Sequence, residues 1–263
     1  MISMNNNKNN SKTDIRELSI QVCLYGLSFM LKNPENGESK FFEYLFDKTH
    51  PVQLSRKLGQ IVKERPVLKH QFAKTKIIHH NNLNTLVPLE YFDDSIPEEY
   101  LKYNISLLEN DKASYDIIRE INTANVYLPF VNINNFFLNY NPSVEYYHSA
   151  TVFIEKINRL RSTKETLPLY DLYLNVFQKD FQLLIYKNEE VLFFNTFEYE
   201  TTDDFLYFFF FVLESLKLDE KEIDFHLAGV NKNFPVYKDL TDFVPQWTIL
   251  PPSNPGKNNN FIL

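Results

Sequence analysis

The chain has 263 residues, 44% hydrophobic and 23% charged, a composition for one large domain or two compact lobes rather than a disordered or fibrous protein. Its 27 basic and 34 acidic side chains leave a net charge of −7, which argues against a general affinity for the phosphate backbone of nucleic acid. Five widely spaced glycines (26, 37, 59, 229, 256) exclude a dinucleotide fingerprint, a P-loop and a kinase-type glycine loop, and the single Cys23 excludes an internal disulfide or a multi-thiolate metal site.

Residues 1–14 are rich in Asn and Ser, lack the apolar stretch of a secretory signal, and read as a disordered lead into a cytoplasmic protein. Extended segments at 18–24, 27–31 and 40–46, parted by turns at Tyr25-Gly26 and 33–37, form a three-strand meander. A helix over 51–64 follows, with Thr49 as N-cap, Pro51 in its first turn, and Leu54, Leu58, Ile61 and Val62 at near-helical spacing; 73–79 is extended again. Further on, the pattern predicts short helices over 86–92 and 96–103 and strands over 114–121 and 125–130. A short helix over 132–140, a strand over 144–148 and an amphipathic helix over 149–160 then complete the first lobe.

A second series begins near Tyr170. Segments 171–177, 181–186 and 191–199 are extended, with turns at 178–180 and 187–190. Thr201 or Thr202 caps an aromatic helix ending near 218, with Asp203 and Asp204 in the first turn where the helix dipole favours acids, and 223–229 is extended. The apolar run 205–213 is too short to cross a hydrocarbon core of ~30 Å at ~1.5 Å per residue, and it predicts a helix buried on nearly every face. Both series read β-β-β-α-β. The expected organisation is a disordered lead (1–14), a first lobe (15–165), a second lobe (166–250) and a flexible tail (251–263).

A duplicated β-β-β-α-β unit with mixed sheets is an α/β architecture of two pseudo-symmetric lobes, the core topology of actin-like ATPases in the ribonuclease H-like group. The succession Leu18-Ser19-Ile20, Gly26-Leu27-Ser28-Phe29, Leu86-Val87-Pro88, Tyr100-Leu101, Asn125-Val126-Tyr127 and Phe197-Glu198-Tyr199 resembles the bacterial family called domain of unknown function 3822, common in Bacteroidetes. That resemblance covers nearly the whole chain, implies the actin-like fold, and implies no activity.

In an active actin-like ATPase the turn joining the first two strands of each lobe holds phosphate, using an aspartate, glycines and a hydroxyl residue. Here the first turn keeps Gly26 and Ser28 without a carboxylate, the second supplies Lys179 and Asp180 without a glycine, and the glycine pair that faces adenosine is reduced to Gly229. Read as plain hairpin residues, Gly26 serves a positive φ and Lys179-Asp180 form a solvated turn. The incomplete set predicts no catalytic residues, no metal and no cofactor. The expected function is a non-catalytic scaffold for another protein, as in pilus and secretion components built on degenerate actin-like lobes. The alternative is a nucleotide switch holding ATP with magnesium in the interlobe cleft against Tyr25, Gly26, Ser28, Lys179, Asp180 and Gly229. A nuclease is disfavoured, since the first strand has no acid in its body.

The six histidines lack metal-ligand spacing: His79 and His80 point to opposite faces of one strand, and His148 reads as a satisfied strand-end residue. Cys23, between Val22 and Leu24, reads as a buried thiol that behaves as a small hydrophobe.

Overall fold

Leu18, Ile20 and Val22 alternate along β1 (Glu17–Cys23), so one face of that strand must be covered. In the computed structural model, which describes residues 17–69, 72–138, 144–230, 234–252 and 260–263, β1 pairs antiparallel with β2 (Gly26–Lys32), which pairs with β3 (Ser39–Leu45). The cover is α1 (Pro51–Glu64), whose Leu54, Leu58, Ile61 and Val62 are buried in one core with the three β1 residues. The helix returns the chain to β4 (Lys74–His79), parallel to β1. Its N-cap is His50 rather than Thr49: His50 Nδ1 accepts from the Val52 N–H at 3.4 Å, while the Thr49 hydroxyl turns to the Gln53 side chain.

The stretch 86–92 is not a helix. Asn84–Pro88 forms β5, followed by one 3-10 turn; α2 (Pro97–Leu101), β6 (Ser114–Ile118) and β7 (Thr123–Tyr127) come next. β7 lies between β5 and β6 in a small antiparallel sheet. Thr85 and Val87 are β-branched, and a long-range partner decides so short a segment. Asn122 makes the turn into β7 at φ 48°. The chain continues through α3 (Val131–Leu138), β8 (Val144–His148) and α4 (Ser149–Arg161).

The second series repeats the first. Strands β9 (Tyr170–Val176), β10 (Asp180–Lys187) and β11 (Glu190–Glu198) lead into α5 (Thr202–Ser215) and then β12 (Ile223–Ala228), parallel to β9. After α6 (Pro235–Phe243), β13 (Thr248–Ile249) adds to the edge. One sheet is ordered β3-β2-β1-β4-β8 and the other β11-β10-β9-β12-β13, with the same succession of antiparallel and parallel pairings. Thr201 caps α5 in a reciprocal box with Asp204.

That helix is less buried than expected. Phe205, Phe209, Val212 and Leu213 face the core, but Tyr207 and Phe211 are more than half exposed, because α6 covers only the Phe210 side. A third core lies between the lobes, where Phe153, Ile154 and Ile157 of α4 meet Met30 and Ile78 of one sheet and Tyr173, Leu184 and Tyr186 of the other. The tail departs from expectation at its end: Phe261, Ile262 and Leu263 are buried in this interlobe core, since an apolar seam was available to take them. The lead at 1–14 lies outside the described residues. Among the described residues, no helix is long and apolar enough to cross a membrane.

Candidate functional site: the interlobe cleft

The duplication sets the β1–β2 turn of one lobe opposite the β9–β10 turn of the other, and the two are bonded together. The Tyr25 hydroxyl donates to Asp180 Oδ2. His80, one residue past β4, donates from Nε2 to Asp180 Oδ1 at 2.7 Å. The Ser149 hydroxyl, at the start of α4, lies 2.8 Å from His80 Nδ1. On β10, Gln182 Nε2 donates to Ser149 Oγ at 3.0 Å and Gln182 Oε1 accepts from Asn175 Nδ2 of β9 at 3.1 Å. The Phe177 ring lies 4.1 Å from the imidazole, centroid to centroid.

Every member of this chain of hydrogen bonds is buried. Such a network is stable only when its polar groups find partners, because an unpaired group in a low-dielectric interior costs about 1–3 kcal/mol. Burial pushes the Tyr25 phenol well up, and the Asp180 charge adds to the effect, so the hydroxyl stays a donor at neutral pH. Ser149, His80 and Asp180 have the spacing of a nucleophile, base and acid, but the serine is fully buried and its hydroxyl is committed to His80 and Gln182. A nucleophile needs an open approach to its substrate, so the constellation is a latch between lobes.

Two cavities flank the latch. The inner one, about 400 Å³, is walled by Tyr25, Gly26, Ser28, Glu43, Asn175 and Gly229 among others, with no Lys or Arg among the described residues of its lining. Glu43 accepts from Ser28 Oγ at 2.7 Å, so the hydroxyl expected to meet phosphate faces a carboxylate. The Asn175 Oδ1 is buried without a partner among the described residues. Gly229 holds φ +80°, and a Cβ there would lie 2.1 Å from the Val176 carbonyl oxygen. The outer cavity, about 1290 Å³, carries Lys48, Lys57 and Lys179 against Asp47, Glu198, Glu200 and Asp204, with Lys48 ion-paired to Glu198.

The six residues singled out by sequence therefore gather around one cleft, in different roles. Tyr25, Gly26, Ser28 and Gly229 line the inner cavity, Lys179 is exposed in the outer one, and Asp180 is buried in the latch rather than solvated. Gly26 is not at positive φ. Packing around it is tight, since a Cβ there would lie 3.1 Å from the Leu45 side chain and 3.3 Å from the Tyr44 carbonyl oxygen. Sequence reasoning missed His80, Ser149, Gln182 and Asn175. The available signal was Asn175 and Gln182, two amides among the apolar residues of β9 and β10. His148 caps α4, its Nδ1 accepting from the Ala150 N–H at 3.2 Å, and Cys23 is a buried thiol whose pKa burial pushes far up.

A second buried cluster surrounds Asp171 on β9. It accepts from Arg161, from the Tyr173 hydroxyl at 2.7 Å, from His226 Nε2 at 2.7 Å and from Lys164 at 3.2 Å. Burial alone would raise this carboxyl, but the bonds from His226 and Tyr173 and the Lys164 charge outweigh it and hold the pKa below the usual value. Ligand atoms of Asp171, Asp224 and His226 lie within 4.8 Å of one another. A metal ion would have to displace two cations already in place, so the cluster works as a clamp of α4 on the second sheet.

Comparison with known structures agrees with the architecture. A protein of actin-like ATPase fold and unknown function from Bacteroides thetaiotaomicron is similar at TM-score 0.79 and 22% identity, over 92% of this chain and 93% of that one. A chain of a PilM–PilN type IV pilus biogenesis complex is similar at TM-score 0.53 and 10% identity, over 90% and 89%. No curated protein matches the chain. These likenesses establish the actin-like fold. The model of the family described as "Protein of unknown function (DUF3822)" matches residues 5–246, and the chain belongs to that family.

Proposed function

We propose that this protein is a non-catalytic, cytoplasmic protein-interaction scaffold on an actin-like fold whose nucleotide site has been replaced by side chains. The observation that carries this reading is the latch: Tyr25 and His80 are hydrogen-bonded to Asp180 between the two turns where an actin-like ATPase would hold phosphates. The inner cavity supports it, offering a phosphate a carboxylate and, among the described residues, no cation. In the outer cavity four acids offset three lysines, so the alternative of ATP with magnesium acting as a switch lacks a net positive site. The PilM–PilN complex gives the precedent of a fold-mate that assembles with another protein. A buried, unpaired thiol suits a reducing compartment, and the net charge of −7 disfavours nucleic acid as the partner. The test is a phosphate-release assay with ATP and GTP plus magnesium. No turnover above buffer is expected, and turnover abolished by Asp180→Ala would overturn the reading.

A further inference from the structure

The segment Asn260–Leu263 belongs to no strand or helix, yet it is seated across the seam between the lobes. Phe261, Ile262 and Leu263 are 5%, 2% and 9% exposed. Phe261 meets Phe153 of α4 edge to face, with centroids 6.0 Å apart. Two polar clamps fix the register: Lys156 Nζ donates to the Phe261 carbonyl oxygen at 2.7 Å, and Asn260 Nδ2 donates to Gln21 Oε1 of β1 at 2.7 Å. Asn260 Oδ1 in turn accepts from the N–H groups of Ile262 and Leu263, both at 2.9 Å, which curls the segment into its seat.

The seam is larger than its occupant. The inner cavity opens on the Asn260–Phe261 side, and another of about 940 Å³ continues past Ile262 and Leu263. That second cavity carries Lys32, Lys76, Lys156 and Arg159 against Glu17 and Glu155, a surplus of positive charge. Burial pushes Lys156 down to about 8, and the Arg159, Lys76 and Lys32 charges add to the effect. An anion there would relieve that repulsion.

We propose that the interlobe seam is a docking groove for an extended segment of a partner protein, in which an amide side chain is followed by an aromatic residue, two aliphatic residues and a carboxylate. The partner's segment competes with Asn260–Leu263, which occupies the groove in cis. The proposal rests on the scaffold reading and names the chemistry of its partner. The occupant's chemistry comes from the segment already seated: an aromatic ring against Phe153, aliphatic side chains in the interlobe core, an amide on Gln21, and a positively charged cavity directly beyond.

The experiment uses the full chain and a fluorescent peptide, Lys-Asn-Asn-Asn-Phe-Ile-Leu-Glu, read by anisotropy. The natural chain should bind it weakly because the cis segment competes, and the doubly substituted chain Phe261→Asp, Ile262→Asp should bind at least 10-fold more tightly. Replacing the peptide's Phe by Asp should abolish binding, and replacing its Glu by Gln should weaken binding several-fold. Should the double variant fail to fold, Asn260→Ala removes the bond to Gln21 and the two bonds from the Ile262 and Leu263 N–H groups, keeps the apolar core and leaves Gln21 for the peptide; a gain of at least about 5-fold is expected, since a single hydrogen bond is worth about 1 kcal/mol. A folded variant with no gain in affinity would overturn the proposal, as would a peptide-sensitive dimer of the natural chain in sedimentation, which would make a second copy the occupant. Peptide binding and phosphate release are separate readouts, so failure here is distinguishable from failure of the scaffold reading.

Discussion

Removing the Asp180 carboxylate should loosen the junction of the lobes. In Asp180→Ala the Tyr25 hydroxyl and the His80 Nε2–H each lose their acceptor while staying buried. A hydrogen bond to a charged group contributes about 1.5–3 kcal/mol, so the two together are worth roughly 3–6 kcal/mol. Unfolding entropy of about 2.1 cal/mol/K per residue, summed over the chain, gives roughly 0.55 kcal/mol/K, so the melting midpoint should fall by about 5–11 °C. Scanning calorimetry or circular dichroism reads this directly. Tyr25→Phe alone should cost about 1–2 kcal/mol, and in a double-mutant cycle the pair should lose less than the sum of the singles, because the two side chains share one bond. A nucleotide-site aspartate would behave in the opposite way, since binding residues are commonly kept at the expense of stability and their removal is neutral or stabilising. An Asp180→Ala midpoint within 1 °C of the natural chain would refute the latch.

Three further outcomes test the physical reading. Gly229→Ala places a Cβ 2.1 Å from the Val176 carbonyl oxygen at φ +80°, so it should cost more than about 3 kcal/mol in urea unfolding or abolish soluble expression. Thr201→Ala removes the hydroxyl that caps α5 and should cost about 1 kcal/mol in the same assay. Burial lowers His79 to about 4, so its contribution to stability is complete above pH 6.5 and is lost as pH falls toward 4, by about 3 kcal/mol. Asp116 runs the other way: burial, outweighing its bonds from His148 N–H and the Thr151 hydroxyl, pushes its carboxyl up to about 6, and its contribution declines as pH rises from 4 to 6. The His79→Gln chain should therefore lose less stability on acidification from pH 7 to 4.5 than the natural chain, in urea melts at both values.

The repeated framework was legible because its signals are local. The turns at Tyr25-Gly26 and 187–190 break apolar runs, Pro51 and the Leu54/Leu58/Ile61/Val62 spacing mark α1 at its observed bounds, and Thr201 with Asp204 announces α5. The β5 strand was not legible, because five residues with a terminal proline become a strand only when β7 lies beside them. The latch was hidden for a related reason: its bonds join residues 155 and 100 positions apart, and a polar turn residue such as Asp180 looks solvated until the opposite lobe closes over it. The seated end of the tail has no periodicity of its own. Phe261-Ile262-Leu263 follows an asparagine run, and only the seam between the lobes gives the three side chains a place to go.

The most direct test of the scaffold reading is a thermal-shift titration of the natural chain with ATP, ADP and GTP, each with and without magnesium. A ligand at 100 times its dissociation constant would add about 2.7 kcal/mol, or roughly 5 °C for a chain of this size. A flat response across the panel is expected on the scaffold reading, since Tyr25 and His80 are hydrogen-bonded to Asp180 between the two turns. A magnesium-dependent rise of several degrees, lost in Asp180→Ala, would contradict the scaffold reading and make the protein a nucleotide switch.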